Sequence, residues 1–194
     1  MKVKPIILTM GDPAGIGPEI ILNCFKDKDV SQLPVIVFGD IKVLSLIKDG
    51  IGITGYKLNK VNAVEEAIYS NEILNVLDFD NIDMKKYKIG QLSSMCGHGA
   101  YEYIISAIQH VKDEKARAVT TAPINKEALH MAGHNFPGHT EIFATQCGTK
   151  DYAMHLYDEK LSIIHVSTHV SLEDAIRTLS KDRVKKVIEL AYDN

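Results

Sequence analysis

The amino-acid sequence predicts an α/β protein with a mostly parallel sheet covered by helices on both faces. Short apolar, β-branched runs alternate with segments in which apolar residues recur at helical spacing. A glycine-rich turn follows the first of these runs, and turn residues separate several later segments. Strands that alternate with helices favour a parallel sheet, because each helical crossover returns the chain to the same end of the sheet.

The predicted elements follow one another along the whole chain. The predicted strands are Val3–Thr9, Val35–Phe38, Ile73–Leu77, Ala116–Thr121 and Ser162–Ser167. The predicted helices start at Pro18, cover Ile41–Lys48 and Gly97–Val111, start again at Asn125 and at Thr140, and form a pair within Leu172–Tyr192. Ligands bind beyond the carboxyl ends of parallel strands, so the residues after Thr9, Thr121 and Ser167 are predicted to matter most.

Composition excludes several classes of protein. Of the 194 residues 45% are hydrophobic and 24% are charged, as in an ordinary globular protein with a sizeable core. Lys and Arg number 22 against 25 Asp and Glu, so no basic excess favours nucleic-acid binding. No apolar run is long enough for a membrane span, and Met1–Pro5 does not start a signal peptide. Three cysteines without CxxC spacing indicate reduced thiols and a cytoplasmic location.

The loop Gly11–Glu19 lies between the first strand and the first helix, where a dinucleotide fingerprint would lie. The match fails because Ile20 stands where the third glycine is needed for close helix packing. Asp12 and Glu19 also place negative charge where a pyrophosphate would bind. The loop is therefore either a tight turn that starts a helix or a surface facing a substrate hydroxyl, amine or cation. A phosphate site is the least favoured interpretation.

Two later loops also lead into helices. Asn125 is a natural N-cap, whereas Lys126 in the first turn opposes the helix dipole. Lys126 is thus either an exposed lysine or a partner for a ligand carboxylate or phosphate. In Gly138-His139-Thr140-Glu141, Thr140 can cap the helix. Equally, His139 can exchange a proton near neutral pH and Thr140 can bind a substrate oxygen.

The segment Leu161–His169 suggests a metal ligand. His165 and His169 on one strand would stand ~13 Å apart, whereas two nitrogens on one zinc lie within ~4 Å. At most one of the two therefore binds a given ion, and His169, at the predicted strand end, is the better candidate. His165 is predicted to pack in the sheet. The remaining histidines are predicted to have surface or cap roles: His98, His110, His130, His134 and His155.

Four motifs together resemble the 4-hydroxythreonine-4-phosphate dehydrogenase family of pyridoxal phosphate biosynthesis. They are Thr9–Glu19, Thr121–Lys126, Gly138–Glu141 and Ser167–His169. The resemblance implies a fold like that of isocitrate and isopropylmalate dehydrogenases, with a first α/β domain over residues 1–121 and an incomplete second domain over 122–194. It also implies a homodimer with its active site at the subunit interface.

The same resemblance implies residue roles and a reaction. His139 and Thr140 correspond to substrate-binding positions, and His169 to the first of three histidines that bind a divalent metal such as zinc, magnesium or cobalt. The reaction is a metal-assisted oxidation and decarboxylation of 4-phosphooxy-threonine by NAD or NADP. Lys126, as a proton-transfer residue, and Asp12 are further catalytic candidates. We expect these residues and Asn125 to line one crevice.

Two alternatives stay open. Ile164–Val170 looks closer to relatives that act on 4-phosphorylated threonate or erythronate, in which a hydroxyl replaces the amine. Family members are also much longer than this chain, and their other metal and substrate ligands fall in the part that it lacks. The sequence therefore predicts an absent or partial metal site. It also predicts that the chain alone is inactive, or that it is a fragment for dimerisation or binding.

Overall fold

The structure, a computed structural model, describes residues 4–192, so Met1, Lys2 and Val3 of the predicted amino-terminal segment lie outside the described residues. The chain divides into two compact units between Gly138 and His139. Unit 1 ends at Gly138, and unit 2 begins at His139.

Unit 1 contains a five-stranded sheet in the order β3-β4-β2-β1-β5 in which all neighbouring strands are parallel. Its strands are β1 (Ile6–Thr9), β2 (Val35–Gly39), β3 (Lys57–Val61), β4 (Ile73–Asp78) and β5 (Ala118–Thr121). Its helices are α1 (Gly17–Cys24), α2 (Lys28–Ser31), α3 (Ile41–Gly50), α4 (Ser94–Lys112) and α5 (Lys126–Met131), with a 3-10 turn at Val64–Glu66. The predicted α/β class with a parallel sheet is confirmed. Helix α2 and strand β3 were not predicted from the sequence.

Helices cover both faces of this sheet. Helix α4 packs over β1, β2 and β5, whereas α3 packs over β3 and β4 and also contacts α1. Right-handed crossovers account for this arrangement, because β1 and β2 connect toward one edge of the sheet and β4 connects back toward the other. The crossover after β1 and the crossover after β4 thus lie on opposite faces, and ligands of open α/β sheets bind at such a switch point.

The core of unit 1 forms around β2, which is buried at every position. Phe38 of β2 lies edge-on to the His110 ring, with 5.0 Å between ring centroids. Tyr103 of α4 is fully buried, and its hydroxyl donates a 2.8 Å hydrogen bond to Asn81. A fully buried apolar side chain contributes about 1.5–3 kcal/mol relative to an exposed one, so this core stabilises unit 1 strongly.

Unit 2 contains α6 (His139–Cys147), β6 (His155–Tyr157), β7 (Ser162–Ile164), α7 (Leu172–Thr178) and α8 (Lys181–Tyr192). Strands β6 and β7 form a two-stranded antiparallel sheet. The prediction of a parallel strand over Ser162–Ser167 is wrong in both length and partner. Asp158 and Leu161 exchange backbone hydrogen bonds of 2.9 and 3.2 Å in a tight turn. This turn pairs β7 with the segment just before it rather than with the large sheet.

The boundary between the two compact units lies further along the chain than the predicted domain boundary after Thr121. Helix α5 packs on α4 within unit 1. The approach is so close that a β-carbon at Gly97 would overlap the backbone of Ala128. The assignment of residues 1–121 and 122–194 to two domains stays a prediction. Among residues 4–192 no helix is both long and apolar enough to cross a bilayer. The three cysteines are free.

Candidate active site

The loops that follow β1 and β5 meet at the carboxyl edge of the large sheet. Thr9 and Thr121 are paired in the parallel register, and the Ala122 amide donates to the Thr9 carbonyl at 3.0 Å. One turn further, the Asp12 amide donates to the Pro123 carbonyl at 2.9 Å. Two of the motifs singled out in the sequence are therefore joined by backbone hydrogen bonds.

Gly11 permits this close approach. Its φ of +70° lies in the left-handed region, and a β-carbon there would overlap the carbonyl oxygens of Pro123 and Ala122. Any other side chain would push the two loops apart, because both clashes are with backbone atoms.

Asp12 is buried and fixes the shape of its own loop. One carboxylate oxygen accepts a 2.9 Å hydrogen bond from the Ala14 amide. Burial raises the pKa of Asp12, and the Ala14 hydrogen bond only partly opposes this effect. The loop is further held by Tyr87, whose hydroxyl donates to the Pro13 carbonyl at 2.9 Å. These contacts support the tight-turn interpretation, whereas a catalytic role for Asp12 stays a prediction.

Asn125 and Lys126 start helix α5 at the same edge. The Asn125 side-chain oxygen accepts a 3.0 Å hydrogen bond from the Ala128 amide, which confirms it as the N-cap. Lys126 is exposed, and among the described residues it has no ion-pair or hydrogen-bond partner. An exposed, unpaired ammonium can accept an anionic ligand, so both interpretations of Lys126 remain compatible with its position.

In unit 2, His139 and Thr140 form the first turn of α6 and line a cavity of about 370 Å³. The rest of its lining consists of Phe143, Ala144, Cys147, Thr149 and Tyr152. Helix α6 places His139, Phe143 and Cys147 on one face, because residues three to four positions apart are neighbours on a helix surface. Thr149 and Tyr152 follow the end of the helix. The cavity thus combines an apolar wall with a few polar groups, as small-molecule sites do.

The side chain of His139 is partly buried, and one of its nitrogens lacks a partner. Its Nε2 atom is buried and has no hydrogen-bond partner in the structure. Burial lowers the pKa of His139, so the ring is neutral at pH 7. A buried polar atom left unpaired costs about 1–3 kcal/mol. A ligand group that hydrogen-bonds Nε2 would recover this cost.

Two further polar groups share this property. One carboxylate oxygen of Glu141 and the Thr9 hydroxyl at the end of β1 are also buried without partners. Glu141 belonged to the polar cluster noted in the sequence, but nothing in the spacing distinguished it from an ordinary first-turn acid of a helix. Burial of single oxygen atoms cannot be read from a pattern of residue types.

The structure corrects the placement of the two histidines in the metal hypothesis. Strand β7 ends at Ile164, so neither His165 nor His169 lies on a strand and the ~13 Å spacing of a strand does not apply. His165 is half-buried, and its amide donates to the Met154 carbonyl at 2.9 Å just beyond the hairpin. His169 is exposed in a bend, with a left-handed φ of +58°.

A divalent metal needs several protein ligands close together in space. Among residues 4–192 no three His, Cys, Asp or Glu side chains come together as metal ligands. Three protein ligands are the usual minimum for a catalytic zinc. The described residues therefore do not fit a divalent metal by themselves, and His169 as one of its ligands stays a prediction.

The comparison with known proteins decides the family. Residues 31–194 match the family described as "Pyridoxal phosphate biosynthetic protein PdxA". The chain belongs to this family. Its relatives include the D-threonate 4-phosphate dehydrogenase of Salmonella typhimurium, which is 41% identical over 98% of this chain and 58% of the relative. The 4-hydroxythreonine-4-phosphate dehydrogenase of Beijerinckia indica is 36% identical over 100% of this chain and 56% of the relative.

A solved structure supports the same assignment. The 4-hydroxythreonine-4-phosphate dehydrogenase of Klebsiella pneumoniae superimposes with a TM-score of 0.92 at 40% identity, covering 99% of this chain and 58% of that chain. The resemblance inferred from four motifs is thereby confirmed at the level of the family. The chain spans little more than half the length of the relatives it matches.

Proposed function

We propose that this sequence serves in a dehydrogenase that oxidises a 4-phosphorylated threonate or erythronate. The 41% identity to a D-threonate 4-phosphate dehydrogenase supports the hydroxy-acid substrate over the amine-bearing one, for which the relative named above is 36% identical. The run Ile164–Val170 pointed the same way. Oxidation of 4-phosphooxy-threonine, the first expectation, is the second candidate.

The observation that carries the proposed oxidation, for either substrate, is the neutral, unpaired imidazole of His139. Such a substrate has a secondary hydroxyl on the carbon β to its carboxylate. A neutral Nε2 can accept the hydrogen bond of this hydroxyl and take its proton as the carbonyl forms. The lowered pKa of His139 keeps this acceptor available on the acidic side of neutrality.

Thr140 and Lys126 supply the remaining recognition chemistry. The Thr140 hydroxyl can donate to a substrate oxygen and accept from a substrate hydroxyl. The unpaired ammonium of Lys126 suits the phosphate or carboxylate of the substrate, and it can also transfer a proton. Lys126 belongs to unit 1 and Thr140 to unit 2. Each proposed role rests on the surroundings of that residue alone.

NAD or NADP is the proposed hydride acceptor, and the cofactor performs that step while the protein positions the atoms. The product of oxidation is a β-keto acid, which loses carbon dioxide readily. His169 would supply one ligand to the divalent metal of the family, and no step is assigned to that metal. A homodimer with an interface active site belongs to the same proposal.

Substrate choice is tested by measuring NADH formation from 4-phospho-D-threonate and from 4-phosphooxy-L-threonine. The two proteins assayed are this chain and a chimera that adds the unmatched remainder of the Salmonella typhimurium relative. We expect the chimera to prefer the hydroxy acid by at least about tenfold in kcat/KM, since a site built for one polar group discriminates strongly against another. A preference for the amine-bearing compound would overturn the proposal.

The role of His139 is tested by His139→Asn in the chimera. Turnover should fall roughly a hundredfold if the ring accepts the proton in the transition state. The melting temperature should stay within about 2–4 °C, the shift that 1 kcal/mol produces in a protein of roughly 150–250 residues. His155→Asn is the matched control, because His155 is exposed in the same unit. A large loss of stability with unchanged activity of the folded fraction would show a structural histidine.

A third candidate, for the isolated chain, is a non-catalytic binding or dimerisation module. The observation that favours it is the exposed apolar surface of unit 2, where Leu172 is 79% and Ile176 is 69% exposed. Sedimentation of the 194-residue chain, together with an assay of NADH formation, distinguishes a binding module from an enzyme. Stable dimers without NADH formation support the module, whereas turnover by the chain alone excludes it.

A further inference from the structure

Two histidines from distant parts of unit 1 are hydrogen-bonded to each other. Nδ1 of His98 in α4 lies 3.0 Å from Nε2 of His134 in the segment after α5. The two rings are 5.3 Å apart between centroids and nearly parallel, at 12°. These values describe two imidazoles edge to edge in almost one plane, so the lone pair of one nitrogen faces the N–H of the other.

This pair attaches the segment 132–136 to helix α4. The His134 ring stacks on Tyr101 of α4 with centroids 3.7 Å apart, and Phe136 stacks on the same tyrosine at 5.9 Å. The His134 amide donates to the Leu129 carbonyl of α5 at 3.0 Å. The Phe136 amide donates to the His134 carbonyl, also at 3.0 Å. The segment leads through Pro137 and Gly138 directly to His139.

The hydrogen bond tolerates one added proton but not two. In the neutral pair, one facing nitrogen carries hydrogen and the other accepts it. A single added proton leaves one facing nitrogen free to accept, so the bond persists. When both rings are cationic, two N–H groups and two positive charges face each other at 3.0 Å, and the contact becomes repulsive.

The charged and titratable groups around the pair come from helices α4 and α5. Glu102 of α4 lies 3.6 Å from Nε2 of His98 and can balance one positive charge. The other Glu102 oxygen accepts from Asn81, which precedes α4. Tyr101 of α4 packs on the His134 ring, and His130 of α5 contacts the Phe136 carbonyl through Nε2 at 3.1 Å. Within residues 4–192, Glu102 is thus the one carboxylate that faces the two rings, enough for one added proton.

We propose that His98 and His134 form a pH-sensitive clamp that holds the segment 132–136 on helix α4 and releases it when both rings are protonated. This inference does not depend on the proposed function. Burial, together with the charge of His98, lowers the pKa of His134 from its ordinary 6.5. The unfolded chain thus takes up this proton at higher pH than the folded clamp does. The clamp's stabilisation is present above about pH 6.5 and is lost as the pH falls further.

Hydrogen exchange of the 194-residue chain tests the clamp. The readout is the protection factor, corrected for intrinsic exchange, of the amides of His134 and Phe136. We expect it to fall at least about tenfold between about pH 7.5 and about pH 5. Protection in β2, at the centre of the sheet, serves as the internal reference and should change less than about twofold.

The variant His98→Asn separates the clamp from general acid sensitivity. An asparagine oxygen stands near the place of Nδ1 and accepts from His134 in either protonation state, so the pH-dependent fall in protection should shrink to less than about twofold. His155→Asn, a matched change in unit 2, should leave the fall intact. An equal fall in His98→Asn, or none in the unchanged protein, would refute the proposal.

Ring nitrogen shifts of the unchanged protein give a second test that needs no variant. Coupled rings take up their protons in two separated steps that belong to the pair. A pKa of His134 at its ordinary 6.5 would also overturn the clamp.

Discussion

Units 1 and 2 bury their apolar residues to very different extents. In unit 1 every residue of β2 is buried, and the core extends from the large sheet to the helices on both of its faces. In the described part of unit 2 only Ile142, Ala144 and Val187 are buried apolar residues. Helix α7 has no buried residue at all.

The difference shows that an apolar pattern predicts an element but not its partner. Leu172, Ile176 and Leu179 recur at helical spacing, and α7 forms as predicted. All three side chains are nevertheless exposed by 60% or more. An exposed stripe of this size is typical of a surface that packs against something else.

The largest expected effect comes from the same substitution made in both units. Ile36→Ala removes a fully buried side chain from β2 and should cost about 2–5 kcal/mol of unfolding free energy. Ile176→Ala changes a side chain that is 69% exposed and should stay within about 0.5 kcal/mol. Urea unfolding followed by circular dichroism measures both changes.

An equal cost for the two alanine variants would break the comparison. It would mean that the α7 stripe is covered in solution, for example in an oligomer. Repeating the measurement at several protein concentrations identifies that case, because the stability of an associated protein depends on its concentration.

Much of unit 1 could be predicted because local chemistry and tertiary packing agree there. Val35–Phe38 is continuously apolar, as expected of a strand covered on both faces, and Asn125 caps α5 as its residue type predicts. Strand β3 was missed because it lies at the edge of the sheet, and most of its residues are exposed or half-buried. Its polar sequence resembles that of a loop.

In unit 2 the prediction failed where partner choice depended on a turn. Ser162–Ile164 is a strand, but the turn at Asp158–Leu161 pairs it with His155–Tyr157. Of the candidate site, the sequence revealed residue types and their positions after strands. It could not reveal the His98–His134 contact, because a pair 36 residues apart leaves no periodic pattern.

A second comparison concerns one buried titratable group in each unit. Burial raises the pKa of Asp12 and lowers that of His139, so both groups favour their neutral forms. Asp12 in the folded state binds a proton more readily than in the unfolded state, so its contribution to stability rises as the pH falls toward 4. The contribution of His139 has the opposite sign and is lost as the pH falls below 6.5, its ordinary value.

The variants Asp12→Asn and His139→Asn make this contrast measurable. At pH 7, Asp12→Asn should be at least as stable as the unchanged chain, since an amide oxygen can still accept from Ala14 and no buried charge remains. The quantity compared is the unfolding free energy of the unchanged chain minus that of the variant. As the pH falls, it should increase for Asp12→Asn and decrease for His139→Asn. Chemical unfolding at several pH values measures both slopes. Slopes of the same sign would contradict the assignment of burial as the common cause.

The smallest expected effect concerns residues with left-handed backbone, of which each unit provides one suitable example. Glu114 has a φ of +58° just after α4, where the Lys115 amide donates to His110 and the Glu114 amide donates to Val111. This is the Schellman pattern, in which glycine is the favoured residue. Glu114→Gly should therefore relieve about 1 kcal/mol of backbone strain in unit 1. The exposed ion pair with Lys4 that it removes is itself worth about 0–1 kcal/mol and offsets part of this gain.

His169 has the same φ of +58° in unit 2, but no helix end requires it there. His169→Gly should likewise relieve about 1 kcal/mol of backbone strain. If His169 is a metal ligand, the chimera carrying this change should lose activity while its unfolding temperature holds or rises. If the variant gains stability but loses activity, the side chain of His169 is needed for function and not for folding. Unchanged activity would remove His169 from the site, and unchanged stability would show that the left-handed backbone is not held in solution. Glu114→Gly is the control, because it measures the stability gained by relieving the same left-handed backbone at a residue with no proposed function.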